Sequence, residues 1–172
     1  MAMVEEKKRE NMRVMVAVDE SDASLYALGW ALDHFGAPPE KLGSLVILHV
    51  QQPFHQYILP AAGGPVAVYA PTSVTETMKK AQEQNTANVI SRALSVCKER
   101  EMTAETLVMD GEPKDMICQA VQLKGVDLVV VGSRGLGKIK RAFLGSVSDY
   151  VAHHAKCPVL IVKPPKEEEH RE

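Results

Sequence analysis

The sequence predicts an α/β protein, a five-stranded parallel sheet covered by helices on both faces. Five short runs of Val, Leu and Ile lack the polar alternation of a half-exposed strand, and strands buried on both faces belong to parallel sheets. Stretches with apolar residues at helical spacing separate these runs, the alternation that right-handed crossovers produce. A glycine-rich loop after the fourth run adds a place where such sheets hold ligands. The pattern leaves the strand order open.

Arg13 to Asp19 is the first strand. It runs into Asp19-Glu20-Ser21-Asp22, which supplies a helix N-cap and acidic side chains suited to the positive end of a helix dipole. The helix expected over Ser21 to Phe35 puts Leu25, Leu28, Leu32 and Phe35 on one face and stops at Gly36, before Pro38-Pro39. Trp30 reads as a packing residue. Leu45 to Val50 is the second strand, and His49 within it reads as a satisfied core histidine.

From Gln51 to about residue 74 neither periodicity is present, and Pro53, Pro60, Gly63, Gly64, Pro65 and Pro71 punctuate the segment. A loop of that length in a compact domain is a functional lid or a mobile insertion. Tyr57 and Tyr69 in it could stack on a ligand or dock on the body of the protein. A long helix follows, about Thr75 to Glu101, with Met78, Ala81, Asn85, Val89, Ala93 and Val96 along one face and Ile90, Leu94 and Cys97 beside them.

Thr103 to Met109 is the third strand. Asp110-Gly111 turns the chain towards Pro113, which suits the first turn of a helix. That helix, about Pro113 to Leu123, buries Met116, Ile117, Ala120 and Val121 and closes at Gly125. Asp127 to Val131 is the fourth strand, Val147 to Ala155 a short helix, and Pro158 to Val162 the last strand.

The 172 residues suit one domain, about 13–163, with a charged extension over 1–12 and a charged, disordered tail over 164–172. Lys and Arg number 20 against 22 Asp and Glu, a net charge of -2 that gives no general pull towards nucleic acid. Met1 to Met12 has no apolar centre, and no run approaches the roughly 20 apolar residues that span a bilayer. The expectation is a soluble intracellular protein with no membrane partner, in the cytoplasm or the nucleus. Cys97, Cys118 and Cys157 are few, odd in number and far apart, which argues against a disulfide framework or a zinc site. The first two fall on apolar helix faces, as small buried hydrophobes; Cys157 is the residue a redox role would use.

The chemistry concentrates between Val131 and Ser148. Gly132, Gly135 and Gly145 let main chain lie close to a ligand, and Ser146 and Ser148 set hydroxyls beside the amides that open a helix. That combination suits a polyphosphate. Arg134, Lys138, Lys140 and Arg141 would compensate phosphate charge, or simply be solvated. Gly132 to Gly137 followed by Lys138 approaches a Walker A loop, but Ile139 stands where the magnesium-binding hydroxyl would be, and the loop follows the fourth strand. A motor or switch NTPase is therefore rejected. His153 and His154, adjacent on one helix, do not suit a shared metal ion. Ser146 has no evident His or Lys base and reads as a phosphate ligand, so no catalytic residue is assigned and any ATP hydrolysis is expected to be slow.

Gly132, two residues, Gly135, nine residues, Gly145 and Ser146 together resemble the nucleotide-binding signature of the universal stress protein family, in its ATP-binding branch. Val14 to Ser21, Gly111-Glu112-Pro113 and Cys157 to Val162 occur in the family's order, and the Gly132 to Gly137 wording with the long second loop is most similar to plant members. The resemblance implies strand order 3-2-1-4-5 in a Rossmann-like sheet of the adenine nucleotide alpha hydrolase type. It implies ATP or AMP as ligand, with Ala17, Val18 and Val50 lining the adenine and Val131 and Val147 completing the pocket. Asp19 becomes the candidate for the ribose or for a nucleotide-bound Mg2+, its plainer role being a helix cap. The last strand, Pro158 to Val162, would join two copies in a homodimer. The function implied is a nucleotide sensor or signalling protein of the stress response, with protein signalling partners and little turnover. A slow ATPase and a chaperone-like holdase are the alternatives.

Overall fold

The structure, a computed structural model, describes residues 11–36, 42–53, 71–133 and 144–165, together with the backbone of 58–61 and 64–67. Seven strands and four helices follow in the order β1 (Met12–Ala17), α1 (Asp22–Phe35), β2 (Leu42–Gln51), β3 (Ile58–Ala61), β4 (Gly64–Ala67), α2 (Thr72–Glu99), β5 (Glu105–Asp110), α3 (Pro113–Lys124), β6 (Leu128–Gly132), α4 (Ser146–His154) and β7 (Val159–Val162). The main sheet runs β5-β2-β1-β6-β7, and every neighbouring pair in it is parallel. Numbering only its own strands, this is the order 3-2-1-4-5 that the family resemblance implies.

Period-two geometry divides each strand between two cores. Val14 and Val16 of β1, Leu45 and Ile47 of β2 and Val130 of β6 pack with Leu28 and Leu32 of α1 and Val89, Ala93 and Cys97 of α2. Met15, Val46, Leu48, Val129 and Val131 face the other way, onto Ile117, Ala120 and Val121 of α3 and Val151 of α4. Met15, Leu28, Ile47 and Leu48 are fully buried, each stabilising the fold by about 1.5–3 kcal/mol on the transfer scale. Both faces of β1, β2 and β6 are apolar, which is why these strands read as unbroken hydrophobic runs, whereas the edge strand β5 exposes Glu105, Thr106, Val108 and Asp110.

Two expectations are corrected. The segment after β2, expected to hold no strand, contains the antiparallel pair β3 and β4, in which Pro60 stands opposite Pro65. Proline lacks the ladder amide and suppresses the strand signal, and four-residue strands are too short to show alternation. In α2 the apolar face is narrower than its spacing suggests: Val89, Ala93 and Cys97 are buried, whereas Ala81 and Leu94 are exposed. A helix of 28 residues is about 42 Å long, whereas the 10-residue β2 it packs on spans about 33 Å, so α2 overhangs its strand.

Cys97 is buried and Cys118 and Cys157 are half-buried, and burial raises the pKa of all three thiols. This opposes the thiolate that a redox role at Cys157 would need. Among the described residues, no helix is long and apolar enough to cross a membrane.

Candidate functional site

The chain leaves β1 in one direction across the sheet and β6 in the other, so a crevice opens outside the carboxyl ends of these neighbouring strands. Val14, Met15 and Val16 pair with Leu128, Val129 and Val130. Ala17, Val18 and Asp19 at the end of β1 are therefore carried beside Val131 and Gly132 at the end of β6, across a sequence gap of more than a hundred residues.

The β1–α1 turn forms one wall, and short side chains build it. Ser21 is the N-cap of α1, its hydroxyl accepting from the Ser24 amide. The Asp19 carboxylate accepts from the Ser21 amide at 2.8 Å through Oδ1, and from the Ser21 hydroxyl as well. The Asp19 amide donates to Ser24 Oγ at 3.0 Å, and that hydroxyl donates to the carbonyls of Asp19 and Ser21. Asp19 is thus fixed in place without being the cap of α1; among the described residues its Oδ2 has no hydrogen-bond partner.

The start of α4 forms the other wall, and main chain builds it. The Ser133 amide donates to Val162 O and the Gly145 amide to Ser133 O, which hangs the helix on the end of β6. Gly145 is the N-cap, in extended backbone, and Ser146 is the first helical residue. Helix geometry leaves the amides of Ser146, Val147 and Ser148 without intrahelical acceptors, at the positive end of the helix dipole. Ser146 is exposed. Ser148 is buried, its hydroxyl donating to Gly145 O at 2.9 Å, so what it offers a ligand is its amide.

Gly132 joins the walls. A Cβ there would sit 3.1 Å from the Ala23 carbonyl oxygen and 3.3 Å from the Ser24 amide nitrogen. Close approach of α1, not a left-handed backbone, is what requires glycine.

The predicted lining divides by face. Ala17, Val50 and Val147 are half-buried around the core under α3 and α4 and present apolar edges to the crevice. Val18 is buried, its amide bonded to Leu48 O and its carbonyl accepting from His49 Nδ1 at 3.0 Å. Val18 belongs to the core under α1 and α2, whereas Val131 is buried in the core under α3 and α4. These two shape the wall from behind, and His49 is the satisfied core histidine expected of it. Gly111 donates to Gln51 O and turns the chain with φ 149° above Met116, one strand further out. Arg134 and Gly135 lie outside the described residues.

A cleft of about 640 Å³ continues from Ser146 and Val147 between α4 and the start of α3. Gln52, Glu112, Lys114 and Tyr150 border it. The Tyr150 ring stacks on His154 at 3.9 Å, with Lys114 Nζ 5.2 Å from its centroid. No motif singles out Gln52, Lys114 or Tyr150; only tertiary packing assembles them, and the Gly111-Glu112-Pro113 turn is the one sequence signal in that cleft. Among the described residues, no group of three or more His, Cys, Asp or Glu is arranged to hold a metal ion.

The residue pattern of the Universal stress protein family matches residues 10–163. Universal stress protein YxiE of Bacillus subtilis (strain 168) is 34% identical over 151 residues, 88% of this chain and 98% of that protein. The Universal stress protein A-like protein of Arabidopsis thaliana is 30% identical over 165 residues, 90% and 91% of the two chains. Among solved structures, a universal stress protein family protein from Arabidopsis thaliana with AMP bound superposes with a TM-score of 0.62 at 27% identity, over 91% of this chain and 94% of that one. A universal stress protein in complex with cAMP gives 0.63 at 26% identity, over 89% and 97%. With that match along nearly its whole folded length, and the strand order to go with it, the chain belongs to the universal stress protein family.

Proposed function

We propose that this protein binds an adenine nucleotide, ATP or AMP, in the crevice between the β1–α1 turn and the start of α4, and works in the stress response as a nucleotide-responsive signalling protein with little turnover. The observation that carries the reading is the convergence of a fixed carboxylate, Asp19, and three helix-terminal amides at the sheet's switch point. The AMP and cAMP bound by the two similar structures support it.

The crevice fits such a ligand group by group. Ala17, Val50 and Val147 offer apolar edges for the base. Asp19 Oδ2 faces no competing donor among the described residues and would accept from a ribose hydroxyl. The amides of Ser146, Val147 and Ser148 and the Ser146 hydroxyl would donate to phosphate oxygens; Arg134 and Gly135 complete this set in the proposal. Mg2+ bound through the phosphates would neutralise their charge, with Asp19 as the carboxylate proposed to hold it.

Homodimerisation through β7 belongs to the same proposal. β7 is an edge strand of the main sheet, and Val159, Leu160 and Ile161 are only half-buried, so the free ladder groups on this edge suit a second copy.

Calorimetry of the purified full chain with ATP and with AMP tests the binding, together with acid release and chromatography of any nucleotide that copurifies. Saturable one-to-one binding, or a copurified adenine nucleotide, is expected. A protein that is empty and also binds neither would refute the reading. Phosphate release from ATP lost in Ser146→Ala would turn it into an ATPase.

A further inference from the structure

The stripe of α2 that buries Val89 and Ala93 continues towards the helix start through Asn85 and Gln82, at helical spacings of four and three. An amide thus occupies a place where the periodicity calls for an apolar side chain. At that level α2 meets the turn after β1 and the residue that follows β2. The Asn85 amide group donates to the Glu20 carboxylate. Arg92 donates to the Glu20 carbonyl at 3.3 Å and pairs with Asp22 at 2.9 Å. Gln82 Nε2 donates to Gln52 O at 2.7 Å, two residues beyond Val50. Three side chains of one helix stripe therefore grip both segments that carry the proposed nucleotide contacts, the turn holding Asp19 and the end of β2.

We propose that the middle of α2, from Gln82 to Arg92, is a strut that sets the Asp19 wall, with Asn85 and Arg92 as positioning residues for nucleotide binding that act through the turn rather than on the ligand. The inference rests on the crevice being the nucleotide site. Its physical content is a coupling: fixing the turn favours the ligand, and by linkage the ligand must steady α2 by the same factor. Glu20 is the joint, since its side chain is held by Asn85 and its carbonyl by Arg92.

The test exchanges donor and acceptor at the joint. Asn85→Asp keeps the size of the side chain but sets a carboxylate against Glu20; calorimetry should show ATP and AMP affinity falling at least fivefold. Glu20→Gln alone should stay within twofold of wild type, because its carbonyl still accepts from Asn85. Combining the two restores a donor facing an acceptor and should bring affinity back to within threefold, a rescue that a merely structural role would not produce. Independently of any variant, saturating AMP should slow hydrogen exchange of wild-type amides over residues 79–89 as well as 20–24. Wild-type protein that binds neither nucleotide overturns the crevice reading and this inference with it. Normal binding with an unaffected Asn85→Asp, a loss that Glu20→Gln does not rescue, or α2 exchange indifferent to AMP, overturns the strut alone.

Discussion

The two walls of the crevice are made of different material. The β1–α1 turn is a lattice of side chains, in which Asp19, Ser21 and Ser24 use one another and the local backbone. The start of α4 is main chain hung from β6, with Gly145 as a cap that lends no side chain. A side-chain wall places one charge firmly, whereas a main-chain wall presents several donors that no substitution short of proline removes. The two should therefore fail differently when mutated.

The largest effect is expected where the walls touch. Gly132→Val would drive a branched side chain against the α1 backbone at Ala23 and Ser24. Overpacking of this kind should lower unfolding free energy in urea by about 2–3 kcal/mol and remove nucleotide binding with it. A loss under about 1 kcal/mol would show that the walls are not pressed together.

Next comes the main-chain wall alone. Ser146→Pro deletes one amide while leaving a residue favoured at the first helical position, after an extended Gly145 that tolerates a following proline. Affinity for ATP should fall at least tenfold, about 1.4 kcal/mol. Ser146→Ala, which removes only the hydroxyl, should cost about threefold, or 0.7 kcal/mol. Equal losses in the two variants would make the hydroxyl, not the amide, the phosphate ligand.

On the side-chain wall, Ser24→Ala leaves the Asp19 amide without its acceptor in a part-buried turn. A stability loss of about 1 kcal/mol is expected, with a smaller fall in affinity. The smallest effect lies outside both walls, at Asp33, whose carboxyl is held below the usual range chiefly by its hydrogen bond from Arg100. A lowered folded pKa means stability present above the unfolded value and lost as pH falls through the folded one. Both side chains are partly exposed, so the pair is worth about 0.5 kcal/mol or less. Asp33→Asn should flatten the acid side of the stability profile slightly and leave nucleotide affinity unchanged.

Elements whose residues bury on a simple period were legible in the sequence. β1, α1, α3 and β6 lie within a few residues of where Val14, Leu28, Ile117 and Val130 place them, because a two-faced parallel sheet writes itself as apolar runs. Legibility ended where tertiary context overrode period. Leu94 has the spacing of a core residue but stays exposed, and Asn85 has a core position because Glu20 waits there. The opposed prolines of β3 and β4 hid a hairpin. At the site, the glycine and serine spacing marked the candidate ligand loop, but the reason for Gly132 lies in Ala23, far away in sequence. Likewise the engaged hydroxyl of Ser148 and the borders of the cleft at Gln52 and Tyr150 depend on neighbours that no motif names.

Backbone amide shifts of the isotope-labelled full chain, followed while AMP is added, would locate the nucleotide on the fold. The largest saturable changes are expected on Ser146, Val147 and Ser148 and on Asp19 to Ser21, at one common midpoint. Shifts gathered elsewhere on the sheet, or none at AMP concentrations that saturate calorimetric binding, would contradict it.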